Sequence, residues 1–127
     1  MSDFKKLRVW RKAHALAINI HSAAGHVRGP HLASLRSQMV RAALSISTNI
    51  VEGSGQQSRR EFGRFIRIAL NSASELEYHL IVARDIKAIA PSDVDALANQ
   101  TMEVRRMLHG LLARVTATAQ QAKGPGS

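Results

Sequence analysis

Cysteine is absent from this chain of 127 residues, which excludes disulfides, zinc–thiolate sites and thiol catalysis and agrees with a reducing cytoplasm. Aromatic residues are scarce as well: three Phe, one Trp and one Tyr. The 45% apolar content is therefore mostly Ala, Leu, Ile and Val, a set that suits helix-on-helix packing better than a β-sandwich. Apolar runs extend only a few residues, too short to span a bilayer, so no membrane partner is expected. The charged start MSDFKKLRVWRK lacks the apolar stretch that a secretory signal needs. Acid is in short supply: nine Asp and Glu stand against eighteen Lys and Arg, for a net charge of +9. A surface this basic attracts polyanions by releasing their counterions, which makes RNA or DNA a natural partner. The length fits one domain.

What is present is helical periodicity. Val9, Ala13, Leu16, Ile20, Ala24 and Val27 recur every three or four residues and predict a first helix over about 5–27. Gly29, as a left-handed cap, and Pro30 are expected to stop it. A second helix follows over about 31–53, broken by Gly53-Ser54-Gly55. Ser58-Arg59-Arg60-Glu61 reads as a capping box for a third helix over about 58–89, whose seam is Phe62, Ile66, Ala69, Ala73, Leu76, Leu80 and Ala83. Pro91 should end that helix, and Ser92 or Asp93 should cap a fourth over about 92–121, with Val94, Leu97, Thr101, Val104, Leu108, Leu111 and Val115 as its seam. Four helices on short links, with no alternating β pattern, predict an all-α, antiparallel up-down-up-down four-helix bundle filling residues 1–123. The tail 124–127 resembles a cloning remnant.

The second helix carries three stripes. Advancing about 100° per residue, Gln38, Arg41, Ser45, Asn49 and Glu52 fall within an arc of roughly 80° and form a polar ladder. Leu32, Leu35, Met39, Ala42, Ala43, Ile46 and Ile50 form the core-facing stripe. Val40, Leu44 and Val51 make a separate apolar ridge. One apolar face serves the core; the second asks for another partner, and a second copy of the chain is the simplest. The competing arrangement places the helix centrally, with both faces covered inside one protomer. The polar ladder is expected to be a structural network that sets register and assembly, with a small-molecule or anion site as its alternative use.

Basic residues form two clusters. Arg60, Arg64 and Arg67, with Asn71, lie on an arc of about 60° opposite the third helix's seam, and Lys5, Lys6, Arg8, Arg11 and Lys12 gather at the chain start. Cations at such spacing follow a phosphate backbone, and the shortage of aromatics points to backbone contacts rather than base recognition. Catalytic and metal chemistry find no footing. A di-iron bundle needs Glu-x-x-His, but the residues three beyond Glu61, Glu75 and Glu103 are Arg64, Tyr78 and Arg106. His14 with His21, and Glu75 with His79, are pairs that cannot close a site. No nucleophile elbow or phosphate loop is present. No enzyme activity, metal or cofactor is therefore expected.

Leu7-x-Val9-Trp10-x-x-Ala13, then Gln38-x-x-Arg41-Ala42-Ala43-x-Ser45-Ile46-x-x-Asn49-Ile50-x-Glu52-Gly53, then Glu61-Phe62-x-Arg64-Phe65 and Ser72-x-x-Glu75-Leu76-Glu77 together resemble the four-helix-bundle proteins of the 23S ribosomal RNA intervening sequence, also called the S23 family. The resemblance covers the chain to about Val115. It implies a cytoplasmic bacterial bundle assembling as a ring-like homopentamer, with a biochemical role unassigned for most members. Relatives include the accessory variability proteins of diversity-generating retroelements, basic pentameric barrels that hold nucleic acid and a reverse transcriptase. The combined expectation is a non-enzymatic homo-oligomer that binds RNA or DNA through its backbone; the alternative is a protein-binding assembly or adaptor module without nucleic-acid affinity.

Overall fold

The structure, a computed structural model, describes residues 3–123, with side chains described through residue 117. The tail 124–127 lies outside the described residues. Four helices follow one another: α1 (Arg8–Ala24), α2 (Ala33–Ser54), α3 (Arg59–Asp85) and α4 (Pro91–Lys123). No strand occurs among the described residues. Both α1 and α3 pack on α2 and on α4, so the helices run round a square with α1 and α3 on one diagonal.

Cross-helix contacts fix the directions. Gly53 near the end of α2 meets Phe62 near the start of α3, while Ser45 bonds Ser72. Glu77 bonds Arg105, and Gly63 approaches Val115. Lys12 pairs with Glu103, and Asn19 bonds Gln100. Each pair of numbers rises on one helix as it falls on the next, the mark of an antiparallel up-down-up-down bundle.

The heptad seams close on one another in a single core. Val9, Ala13, Leu16, Ile20, Ala24 and Val27 are all buried, as are Phe62, Ile66, Ala69, Ala73, Leu76, Leu80 and Ala83. Met39, Ala42, Ala43, Ile46 and Ile50 face them from α2, and Val94, Leu97, Thr101, Val104, Leu108 and Val115 from α4. Leu32, Leu35 and Leu111 are half-buried at its margin. Thr101, fully enclosed, spends its hydroxyl proton on the Leu97 carbonyl one turn back at 2.8 Å.

The helix ends depart from the sequence expectations. α1 begins at Arg8 rather than Lys5, because Phe4–Lys6 form a 3-10 turn and Leu7 is extended. Asp3 accepts from the Lys5 amide, and the Arg11 guanidinium donates to the carbonyls of Lys5 and Lys6, so local polar bonds outcompete a continuous helix. α1 ends at Ala24, before Gly25. Gly29 does have positive φ (105°), but it stands at the N-terminus of the short 3-10 turn Pro30–Leu32 rather than at the C-terminus of α1. Arg36 staples this loop, donating to the carbonyls of Val27 at 2.7 Å and Gly29 at 2.9 Å. α3 stops at Asp85, four residues short of Ile89, because Lys87 takes the left-handed conformation (φ 62°). The amides of Ala88 and Lys87 then reach back to the carbonyls of Ala83 and Arg84, closing a Schellman cap. Pro91 starts α4 instead of ending α3, since the first helical position needs no amide donor. Ser58 caps α3 by accepting from the Glu61 amide at 3.1 Å, while the Glu61 carboxylate turns to Arg64.

Gly53 is the most consequential departure. It lies buried inside α2 and does not break it. A Cβ there would lie 2.9 Å from both Phe62 Cδ1 and Phe65 Cβ, so glycine is required for the close approach of α3. Gly53→Ala should therefore lower stability in urea melts by about 1–2 kcal/mol, the overpacking cost outweighing the gain in helix propensity. Gly55→Ala, whose methyl would meet nothing nearer than 3.7 Å, should instead raise it by up to about 1 kcal/mol. Equal effects at the two positions would refute the steric assignment.

Candidate nucleic-acid interface

Arg60, Arg64 and Arg67 are all exposed on the outer face of α3. The capping start at Ser58 and the buried Phe62–Ala83 seam fix the rotation of the helix and turn these side chains outward. Arg64 is held in place: its Nε donates to Glu61 at 3.1 Å and its guanidinium lies 4.5 Å from the Phe65 ring centre. Arg67 lines a groove between α3 and α4 together with Asn71, Ser74, Arg105 and His109. Arg105 donates to the Glu77 carboxylate. Arg105 and His109 are basic residues that sequence reasoning did not attach to this ridge, because only the pairing of α4 with α3 brings them there.

The five N-terminal cations are exposed too, but their tasks differ. Arg11 is spent on the carbonyls of Lys5 and Lys6, and Lys12 pairs with Glu103 at 3.1 Å. Lys5 lies 6.0 Å above the Phe4 ring. Arg8 flanks a groove of about 430 Å³ between α1 and α4, with Arg106 and Arg114 along its sides and Leu7, Met107 and Leu111 lining the remainder.

The up-down topology gathers this charge at one end. Among the residues whose side chains are described, nine Lys and Arg (Lys5, Lys6, Arg8, Arg11, Lys12, Arg59, Arg60, Arg64 and Arg114) belong to the end where α1 and α3 begin and α4 finishes. Four carboxylates oppose them there, Asp3, Glu52, Glu61 and Glu103, the last of which pairs with Lys12. At the other end Arg28, Arg36, Arg84 and Lys87 are nearly balanced by Asp85, Asp93 and Asp95. The positive potential is therefore directional, and two surfaces that sequence reasoning treated separately share one end.

The polar ladder of α2 divides into two parts. Ser45 and Asn49 are half-buried, and the Ser45 and Ser72 hydroxyls meet at 2.7 Å across the α2–α3 seam. Asn49 Nδ2 donates to the Ser45 carbonyl at 2.8 Å and to its hydroxyl at 3.1 Å. Gln38, Arg41 and Glu52 are exposed, so the network expected from all five residues reduces within the protomer to Ser45, Asn49 and the unanticipated Ser72. For Arg41 and Glu52 the reason is rotational, since they sit on the margin of the arc farthest from the core stripe, whereas Gln38 shares the phase of Ser45 and Asn49 but lies two turns nearer the start of α2. Gln38 and Arg41 face Asn71 and Glu75 across an open, mainly polar groove.

On the opposite flank of α2, Leu44 is 51% exposed and Val40 and Val51 are half-buried. None of the three joins the core of the protomer. Val40 and Leu44 line an apolar groove of about 610 Å³ with His21 and Ala24 of α1 and the following Gly25, rimmed by Arg36 and Arg41. Ile18, 56% exposed, lies on the outer face of the same helix. His14 stacks on Trp10, the ring centres 5.0 Å apart. Among the described residues no three His, Asp or Glu side chains gather in a way that would hold a metal, and no helix is long and apolar enough to cross a membrane.

The comparisons with known proteins agree with this architecture. The family model described as "23S rRNA-intervening sequence protein" matches residues 5–110. Among solved structures, the chain is similar to a protein of unknown function from the S23 ribosomal protein family of Bacteroides thetaiotaomicron VPI-5482. That match has a TM-score of 0.77 and 26% identity, and covers 82% of this chain and 97% of the other. Among curated proteins, none matches.

The split of the polar ladder has an energetic signature. Asn49→Ala and Ser72→Ala, which remove partners from a half-buried cluster, should each cost about 0.5–1.5 kcal/mol in urea denaturation at a concentration where the chain is monomeric. Arg41→Ala under the same conditions should stay within about 0.5 kcal/mol of the parent protein. A larger loss at Arg41 than at Asn49 would overturn the division.

Proposed function

The chain belongs to the 23S rRNA-intervening sequence protein family, and on that premise we propose that it is a non-enzymatic, cytoplasmic, homo-oligomeric bundle that binds the phosphate backbone of RNA or DNA. The single observation that carries the reading is the gathering of nine cations at one end of the bundle against four carboxylates. A polyanion neutralises such an end and releases its own counterions, whereas an isolated protein bears the self-repulsion without compensation. The grooves flanked by Arg67 and Arg105 and by Arg8 and Arg106 extend the positive surface along the bundle. Phosphates are the contacts such long, flexible cations favour, and they carry no base sequence.

The oligomer rests on a different surface. Val40, Leu44 and Val51 lie outside the protomer core, and covering them on a second copy would favour association by about 1.5–3 kcal/mol for each side chain fully buried. A homopentameric ring is the form we assign to this assembly, following the family resemblance. Repetition round a ring would multiply a weak basic end into a continuous one. The exposed apolar Ile18 and Leu44 favour a second reading, in which that surface docks another protein and the chain serves as an adaptor without affinity for nucleic acid.

Two measurements test these assignments. Affinity for a generic polynucleotide should fall by at least about tenfold between low and physiological salt, and Arg60→Glu, Arg64→Glu and Arg67→Glu together should make that dependence shallower by about two to three phosphate contacts. Absence of binding at low salt would leave the adaptor reading in place. In sedimentation equilibrium at micromolar concentration, Leu44→Glu should convert an oligomer into folded monomers, and a parent protein already monomeric would remove the assembly claim.

A further inference from the structure

The outer face of α3 carries more than cations. Arg60, Arg64, Arg67, Asn71, Ser74 and Tyr78 follow one another at intervals of four and three residues, which keeps them within an arc of about 80° over a length of about 27 Å. All six are exposed. Read from the start of the helix, the stripe runs from guanidinium groups, through an amide and a hydroxyl, to an aromatic ring. We infer that this face is a track for single-stranded nucleic acid, with Arg60, Arg64 and Arg67 holding phosphates and Tyr78 stacking on an unpaired base. The inference rests on the nucleic-acid reading above and adds the class of strand.

Tyr78 carries the distinction. It is the only tyrosine in the chain, and 62% of it is exposed. It does not join the core, and its nearest ring neighbour is His79, tilted by 52° at 5.9 Å, which leaves the ring unstacked. The single tryptophan offers no such platform, because Trp10 is already occupied by Phe4 edge-on at 4.9 Å and by the stacked His14 at 5.0 Å. Ile81, 40% exposed, sits one turn beyond Tyr78, and the Glu77–Arg105 bond sets a register that brings the 47% exposed Met102 of α4 to the same end of the track. An exposed ring with apolar side chains at the same end of the helix pair suits a flat, weakly hydrated base.

Charge along the track is consistent with a strand. Two of the carboxylates nearest to it are paired, Glu61 with Arg64 and Glu77 with Arg105, while Glu75 lies on its α2 side. Arg105 and His109 provide a second basic row on α4. Duplex nucleic acid would find the arginines equally attractive, but its base faces are covered by their neighbours and leave Tyr78 without a partner. Unpaired bases expose those faces, and stacking on an aromatic side chain accepts any of the four.

The test compares labelled oligo(dT) with a duplex of equal length by fluorescence anisotropy at low salt, using the full chain. Tyr78→Ala should weaken oligo(dT) binding about tenfold, leave duplex binding and the salt slope unchanged, and be largely rescued by Tyr78→Phe. Tyrosine emission, which reports on this one position, should be quenched when oligo(dT) binds. Unchanged oligo(dT) affinity in Tyr78→Ala overturns the track and leaves Tyr78, Ile81 and Met102 as a protein-docking patch, with the nucleic-acid reading intact. Equal weakening for both polymers also overturns it. Failure of the parent protein to bind either polymer overturns both the track and the reading beneath it.

Discussion

At Gly53 the backbone of α2 lies against Phe62 and Phe65 of α3 with no room for a methyl group, and about two to three turns away Ser45 and Ser72 share a hydrogen bond across the same seam. These two contacts fix both the distance between the helices and their rotation about their own axes. Once α3 is seated on Phe62, its heptad seam must face the diagonal centre, and the arginines on the opposite side must face solvent. Once α2 is seated on Ser45, its polar ladder lies toward α3, and Val40, Leu44 and Val51 swing to the α1 side. The surfaces assigned to polyanion binding and to self-association are thus consequences of one close helix pair.

The same geometry manages charge. Between adjacent helices, Lys12 with Glu103 and Arg105 with Glu77 form cross-links that are partly exposed and contribute little to stability individually. Each neutralises one cation, Lys12 at the basic end and Arg105 farther along the bundle, and the basic end still keeps an excess of positive charge. A bundle stable enough to tolerate that self-repulsion needs a continuous core, and the unbroken stripes of Leu, Ile, Val and Ala on four long helices supply it. The α2–α3 polar cluster adds direction to this otherwise uniform apolar packing, because its hydrogen bonds are satisfied in one register only.

The positions of the core were legible in the sequence almost residue by residue, since a repeat of four and three residues has one structural meaning in a chain without β patterns. Helix ends were less legible. Gly29 and Gly53 each read as a breaker, yet one precedes a proline turn and the other permits close packing inside α2. Glycine marks a need for space or for positive φ, and sequence alone does not say which. The left-handed Lys87 carried no signal, because a lysine there ends α3 only by virtue of the backbone bonds behind it. Of the candidate site, the exposure of Arg60, Arg64 and Arg67 followed from their phase opposite the seam. The contributions of Arg105, His109, Arg106 and Arg114 depended on which helices became neighbours.

By itself the sequence determined the class of fold, the inward face of each helix, the outward phase of the basic ridge on α3 and the existence of a second apolar ridge on α2, because each is a matter of angle along one helix. Only the tertiary structure decided which polar residues of α2 are joined and which stand in solvent, that Gly53 is a packing residue, and that cations distant in the chain gather at a shared end. Those outcomes require the relative placement of two or more helices, a quantity set by the depth to which side chains interlock across a seam and therefore absent from the periodicity of any one of them.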